Sequence, residues 1–369
     1  MATIVALITD AYGGFGGIAQ YNRDFFSALI GYPSVDRVVL LPRVACPGPH
    51  DTPTGLVQRS DSLGGLKAYG MASIRMMEAE HPSVVVCGHV NLIPFAVPVA
   101  LRHRVPLVLL VYGYEVWHPH RVATRLLMRF VDHVVSISRL TVDRMLRWCP
   151  ALARCPVTLI PNAIDLDRFR PAQDKPAYLV ERYRLNGKRA LLSLGRLSAQ
   201  ERFKGTDELL ELMPTLLESE PDITYLVAGD GDDLPRLRAK SASLGLSESV
   251  VFCGRVDESE KVAHYQVSDA FVMPSRAEGF GFVFLEAMAA GIPVVASILD
   301  GSREAVRLGT LGELCDPRDQ PGTIAAVRRA LAKGRGQVPP GLDYFSVPQF
   351  RKRAHDLLSQ VLPSEVPAT

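Results

Sequence analysis

Glu278 and Glu286 stand eight residues apart and bracket the run Gly279-Phe280-Gly281. A short apolar run, Ala270 to Met273, precedes them, and an apolar stretch of small residues leads on to Gly291, Pro293 and Val294-Val295. This order predicts a strand, a glycine turn, a helix over about 282–290 and a further strand. Glycine carries no Cβ, so such a turn brings bare backbone N–H groups close to a ligand. The helix that starts at Phe282 directs its positive end at the same place. Glu278 lies just ahead of the helix and Glu286 about one turn into it. Free N–H donors with two carboxylates suit a ligand carrying both phosphate and hydroxyls, a nucleotide sugar first among them. Read alone, the two acids also fit an ordinary helix with one glutamate at its N-terminus and one on its wet face, so other segments decide.

Arg196 follows a strand-like run, Ala190 to Leu194, and Lys204-Gly205 opens the next helix pattern. A departing diphosphate carries about two negative charges that fixed cations or a metal must neutralise. The sequence offers these two cations and no DxD-like acidic cluster near a strand end, so neutralisation without a metal is expected. Lys204 by itself reads as a surface lysine; beside Arg196 and the Glu278 turn it reads as part of a site. Gly254 to Val256 follow another strand, where backbone groups could receive a nucleobase, and Val256 is the residue singled out.

The first half has its own glycine loop, Gly13 to Gly17, between a buried-strand pattern (Thr3 to Ile8) and a helix pattern through Tyr21, Phe25, Phe26 and Leu29. It matches the spacing of a dinucleotide fingerprint. However, the loop begins late, and the second strand ends in Pro42-Arg43 rather than in an acid, which argues against a nicotinamide site. Gly16 and Gly17 remain candidates for approach to a phosphate. Later strands end in Tyr112-Gly113-Tyr114-Glu115 and in Ser138. Tyr112, Tyr114, Glu115, His118 and Ser138 are therefore the candidates on this side, since ligands of parallel sheets gather at the strands' carboxyl ends. Arg121, Arg125 and Arg129 recur every four residues, with Leu126, Leu127 and Phe130 on the other side. That pattern is a basic amphipathic helix, either an ordinary solvated face or a surface for anionic lipid.

The elements that must position these residues form two repeats of alternating strands and helices, hence two α/β domains with parallel sheets. The 369 residues exceed what one core usually serves. The expected division is 1–165, a Pro- and charge-rich linker over 166–187, and 188–349, with a helix over 350–362 packing back on the first domain. Residues 1–165 hold 15 Lys and Arg against 11 Asp and Glu, and the rest hold 26 against 28, a net charge of +2 overall. Bulk nucleic-acid binding is not expected from so small a charge. The six cysteines show no CxxC pair and no zinc spacing, and read as free thiols of a reducing compartment. Neither a signal peptide nor an uninterrupted apolar span is expected. The expected location is cytoplasmic, with the inner membrane face as a possible peripheral site.

With Gly195-Arg196, Lys204-Gly205, Gly229-Asp230-Gly231 and the segment from Glu278 to Glu286 in this order, the chain resembles the retaining glycosyltransferases of family 4. The resemblance covers nearly the whole chain and is closest over residues 190–317. It implies the GT-B fold, two Rossmann-like domains facing each other across a cleft. It also implies that Arg196 and Lys204 hold the donor diphosphate, that Glu278 meets hydroxyls of the transferred sugar, and that Glu286 meets the ribose. On the same resemblance Gly279, Phe280, Gly281 and Phe282 line the sugar and phosphate, while Gly16 and Gly17 approach from the first domain. The family often has histidine before the glycine of an HGxE-like segment; this chain has Tyr112. That leaves Tyr112 or Glu115 for the position. The implied reaction moves a hexose from a UDP- or GDP-linked donor to a hydroxyl of a saccharide or lipid-linked acceptor, with no metal. A sugar-nucleotide epimerase, another enzyme of the same fold and a non-catalytic sugar-binding module are the alternatives.

Overall fold

The computed structural model describes residues 1–44 and 50–362. Its chain divides into two compact units, Met1–Ala163 together with the chain from Val347 onward, and Ile164–Ser346. The helix Ala177–Arg182 lies inside the stretch read as a linker.

The first unit is built on seven parallel strands: β1 (Ala2–Ile8), β2 (Val35–Pro42), β3 (Leu56–Gln58), β4 (Val84–Cys87), β5 (Leu107–Val111), β6 (His133–Ser136) and β7 (Val157–Leu159). Their order is β3-β2-β1-β4-β5-β6-β7. Ile4 to Ile8 are all fully buried, as expected of a strand covered by helices on both faces. The sequence reading assigns no element between Leu41 and Val84, where β3 and a helix, Leu66–Ala79, stand. The helix Gly17–Ile30 buries Tyr21, Phe25, Phe26 and Leu29, one stripe at helical spacing. The last helix, Val347–Val361, buries Phe350, Ala354, Leu357, Leu358 and Val361. Phe350 meets Tyr21 edge-on at 5.6 Å, and the imidazole of His355 bonds the carbonyl of Ala28 at 3.0 Å. The C-terminal helix is thus part of the first unit's own core.

The basic amphipathic helix expected over Arg121, Arg125 and Arg129 is broken up. Arg121, Arg125 and Arg129 do not share a continuous helix: Val122–Leu127 is a six-residue helix, followed by a 3-10 turn over Met128–Phe130. Met128 is fully buried, and β6 begins three residues after the 3-10 turn ends.

The second unit has six parallel strands: β8 (Arg189–Leu194), β9 (Ile223–Ala228), β10 (Val250–Gly254), β11 (Ala270–Val272), β12 (Val294–Ser297) and β13 (Glu313–Cys315). Their order is β10-β9-β8-β11-β12-β13. The helix Thr206–Ser219 lays Leu209, Leu210, Met213 and Leu216 on a core that includes Leu191, Tyr225, Val227 and Val272. In both sheets the chain reverses its direction of progress once, between β1 and β4 and between β8 and β11. At such a switch point the loops leave in opposite directions and open a crevice at the carboxyl ends of the strands. Both units are therefore Rossmann-like parallel-sheet domains.

Candidate active site

Registers Ala270↔Leu191 and Phe271↔Val294 make β8, β11 and β12 neighbours. Their carboxyl ends deliver three loops to one edge: Gly195–Gly205, Pro274–Gly281 and Ile298–Gly301. Ser193, Gly195, Arg196, Lys204, Thr206 and Met273 line a shallow pocket beside them. Arg196 and Lys204, far apart along their loop, meet on one residue that sequence reasoning passed over, Glu201. The Lys204 ammonium donates to a Glu201 carboxylate oxygen at 2.8 Å, and the Arg196 guanidinium forks onto the same carboxylate. Burial pulls the Glu201 carboxyl upward, but Lys204 and then Arg196 outweigh it and hold it below the ordinary glutamate value. The signal was a lone acid midway between two expected phosphate ligands.

The turn after β11 is set by its glycine. Gly281 has φ +90°, and a Cβ there would lie 2.7 Å from the Phe284 ring, so no other residue fits without strain. The helix Phe282–Ala289 starts at once. Phe282 is half-buried at the helix start, while Phe280 is buried against Phe345 at 5.6 Å and so anchors the turn. Glu278 is half-buried. Burial raises its carboxyl above the usual range; the Lys204 charge lowers it and Asp300 raises it further. The Gly279 N–H donates to its side chain at 3.2 Å. Glu278 therefore shares its surroundings with Lys204 and the start of the helix. Arg196 is joined to Lys204 through Glu201, Lys204 acts on Glu278, and Gly279, Gly281 and Phe282 follow Glu278 in its turn.

Glu286 is nearly buried, at 6% exposure, and both its oxygens are engaged. Lys261 donates to one at 2.6 Å and the Tyr265 hydroxyl to the other at 2.7 Å. Each carboxylate oxygen keeps a second lone pair for a ligand hydroxyl. Lys261 and Tyr265, four residues apart on the helix Lys261–Gln266, are further residues that sequence reasoning missed. Val256 follows the end of β10, half-buried.

In the first unit, Gly16 has φ +95° and precedes the helix that Gly17 begins; a Cβ on Gly16 would meet nothing. Gly14 has no such room, since a Cβ there would fall within 2.0 Å of the Asp10 carboxylate. Tyr112 is buried, and its hydroxyl donates to Asn22 at 2.7 Å. The Asn22 amide in turn donates to the Asp10 carbonyl at 2.7 Å, so Tyr112 ties β5 to the glycine loop. Ser138 is buried as the cap of the helix Arg139–Trp148, accepting from the Thr141 N–H. The spacing Ser-x-x-Thr before a helix was the available signal. Tyr114 is half exposed, with His118 edge-on to its ring at 5.4 Å. The Glu115 carboxyl accepts from the Tyr112 N–H, and burial raises it above the ordinary value. His89, at the end of β4, is held down to about 4 by burial, then by His120 and Arg43. It is a neutral imidazole at the same edge of the sheet.

The fold is that of the GT-B glycosyltransferases. A solved structure from Anabaena, Alr3699/HepE in complex with UDP and glucose, superposes with a TM-score of 0.76, covering 98% of this chain and all of that one at 19% identity. Residues 180–337 match the family "Glycosyl transferases group 1" and residues 16–168 match "Glycosyltransferase Family 4". The chain belongs to the family 4 glycosyltransferases. It is 34% identical over 243 residues to a GDP-mannose-dependent alpha-(1-6)-phosphatidylinositol monomannoside mannosyltransferase of Mycolicibacterium smegmatis, an alignment covering 63% of this chain and 62% of that protein. It is also 34% identical over 206 residues to a glycogen synthase of Mycobacterium tuberculosis, covering 56% of this chain and 47% of the other. The chain thus spans about three fifths or less of these relatives' length.

Proposed function

We propose that the protein is a retaining hexosyltransferase that uses a nucleotide-diphosphate sugar and needs no metal. The observation that carries this is the convergence of Arg196, Lys204, Glu278 and the start of the helix Phe282–Ala289 at the carboxyl ends of β8 and β11. In the reaction, the bond from the anomeric carbon to the leaving phosphate oxygen breaks and one from the acceptor oxygen forms on the same face. The acceptor proton passes to the leaving phosphate. Positive charge grows on the anomeric carbon and negative charge on the phosphate. Arg196, Lys204 and the helix N-terminus supply fixed positive charge toward the second, and so act chiefly on the transition state. Glu278, with Lys204 near it, accepts hydroxyls of the sugar; Glu286, held by Lys261 and Tyr265, accepts those of the ribose.

The donor is UDP- or GDP-linked; the mannosyltransferase relative favours GDP-mannose. A lipid-linked acceptor is the reading that the same relative and the first unit's charge support. Residues 116–131 contain no acid. Arg121, Arg125 and Arg129 are exposed there beside Val122 and Leu126, which are 68% and 58% exposed, a composition suited to an anionic membrane surface. Among the described residues no helix is long and apolar enough to cross a membrane. On this reading the protein works in the cytoplasm at the inner membrane face.

The test is thermal shift with UDP, GDP and ADP and then their sugars, with and without EDTA, followed by NMR of the product anomer. A selective shift that survives EDTA supports the reading. An inverted anomer, a shift lost in EDTA, or no response to any nucleotide counts against it.

A further inference from the structure

Asp300, in the loop after β12, is fully buried, and among the described residues no ion pair reaches it. Its two oxygens are nevertheless saturated. One accepts from the Ser275 hydroxyl and from the Glu278 N–H, both at 2.7 Å. The other accepts from the Ser302 N–H at 3.0 Å and the Ser302 hydroxyl at 2.6 Å. The next residue completes the clamp: the Gly301 N–H donates to the Glu278 carbonyl at 2.8 Å. A Cβ on Gly301 would fall 1.9 Å from the Gly279 carbonyl oxygen, so the two loops touch backbone to backbone. The Glu278 peptide is therefore held at both its N–H and its C=O by residues 300 and 301, which a scaffold role for β12 alone does not require.

We propose that Asp300 is a positioning residue for the reaction: it fixes the backbone of Glu278, and through it the placement of the Glu278 carboxyl against the sugar. This rests on the role given to Glu278 above. Only a carboxylate serves here. Each oxygen faces a backbone N–H, Glu278 on one side and Ser302 on the other. An asparagine in either orientation sets its NH2 against one of them. A buried donor so opposed forces the turn to shift, and a displacement of about 1 Å at a reacting group can cost on the order of 100-fold in rate.

Asp300 also acts on Glu278 through space. Lys204, from the loop after β8, lowers the Glu278 carboxyl, and Asp300, from the loop after β12, raises it. Removing the Asp300 charge lets Glu278 ionise at lower pH, so the acid limb of the rate profile moves down. A purely structural role would not move that limb in the folded enzyme.

The experiment compares wild type, Asp300→Asn, Ser275→Ala and Ser302→Ala in sugar transfer, with calorimetric binding of the free nucleoside diphosphate as control. The expected Asp300→Asn result is kcat lower by on the order of 100-fold. Diphosphate affinity should stay within about twofold, and the acid limb should lie at lower pH. A folded Asp300→Asn enzyme with kcat within about threefold of wild type, or with an unmoved acid limb, overturns the proposal. Where Asp300→Asn does not fold, the serine variants decide. Each leaves the Glu278 N–H bond but loosens the carboxylate, so a fall in kcat of about threefold or more in either supports the clamp, and wild-type kcat in both overturns it. A wild-type protein that transfers no sugar fails at the function itself, and this inference falls with it; wild-type transfer unmatched by any loss in the variants fails at Asp300 alone.

Discussion

Glu201 holds Lys204 at 2.8 Å, and with it Arg196, so the two cations proposed for the donor diphosphate share one carboxylate. An arriving diphosphate must take the place of that carboxylate or add to it. Replacing Glu201 with glutamine removes the competitor and leaves both cations. The exposed Arg196, at 69% of its side chain, contributes little, because water screens it. The half-buried Lys204 carries most of the effect. Glu201→Gln is expected to tighten nucleoside diphosphate binding by about fivefold to tenfold, a change of about 1 kcal/mol. Product release should slow accordingly. Titration calorimetry reads the first and a viscosity series on kcat the second.

Lys204→Ala should act the opposite way. Loss of one fixed donor to a developing oxyanion costs about two to three orders of magnitude in kcat. A variant that turns over at near-normal rate removes Lys204 from the mechanism.

Lys261 is expected to matter for stability before it matters for rate. It is 17% exposed against a Glu286 side chain at 8%, and deleting one partner of a buried pair strands the other charge. Lys261→Met should destabilise the second unit by about 2–3 kcal/mol. Lys261→Met together with Glu286→Gln should recover much of that, because no charge is left unpaired. Thermal unfolding of the single and double variants closes the cycle.

Gly281→Ala forces a Cβ onto a backbone at φ +90° and into the Phe284 ring. The expected loss is about 1–3 kcal/mol of stability, with sugar transfer falling further than diphosphate binding. Equal losses in both would mean that the turn serves the phosphate rather than the sugar.

Asp24 gives a pH dependence. Burial raises its carboxyl from 3.8 to about 6, with Gln20 and Arg23 pulling it down only in part. Because the folded value lies above the unfolded one, its contribution is full below about pH 4 and is lost as pH rises to about 6. Asp24→Asn should therefore stabilise the first unit at pH 8 by about 1–2 kcal/mol and change little at pH 4. Melting temperatures at the two pH values check the sign; a larger gain at the acid end rules the explanation out.

Sequence reasoning reached the two parallel sheets because β1, β8 and β9 are largely apolar runs. It reached Arg196, Lys204 and the Glu278 turn because glycines mark where backbone must come close. Apart from Glu201, whose two cations lie within its own loop, what escaped it depends on contacts between segments far apart in the chain. Glu201 looks like any surface acid until two cations fold onto it. Asp300 looks like a turn aspartate until its oxygens are seen on Glu278 and Ser302. Lys261 and Tyr265 carry no sign that a glutamate on another helix sits between them. Their place at strand ends makes Tyr112 and Ser138 site candidates in the sequence. The structure gives their hydroxyls partners within the first unit, Asn22 for one and the Thr141 side chain for the other. The arginine repeat falls on a shorter α-helix than expected: Arg121 caps it, Arg125 lies in it and Arg129 lies in the 3-10 turn that follows.

The helix that completes the first unit is encoded after the whole of the second. Phe350 closes over Tyr21, and His355 bonds Ala28, only after residues 164–346 have been made. During synthesis, Met1–Ala163 therefore wait with an uncovered aromatic face, while Ile164–Ser346, made next, can finish folding on their own. A chain cut before Val347 should expose that face to chaperones and proteases, and a released chain that carries the helix through Val361 should not.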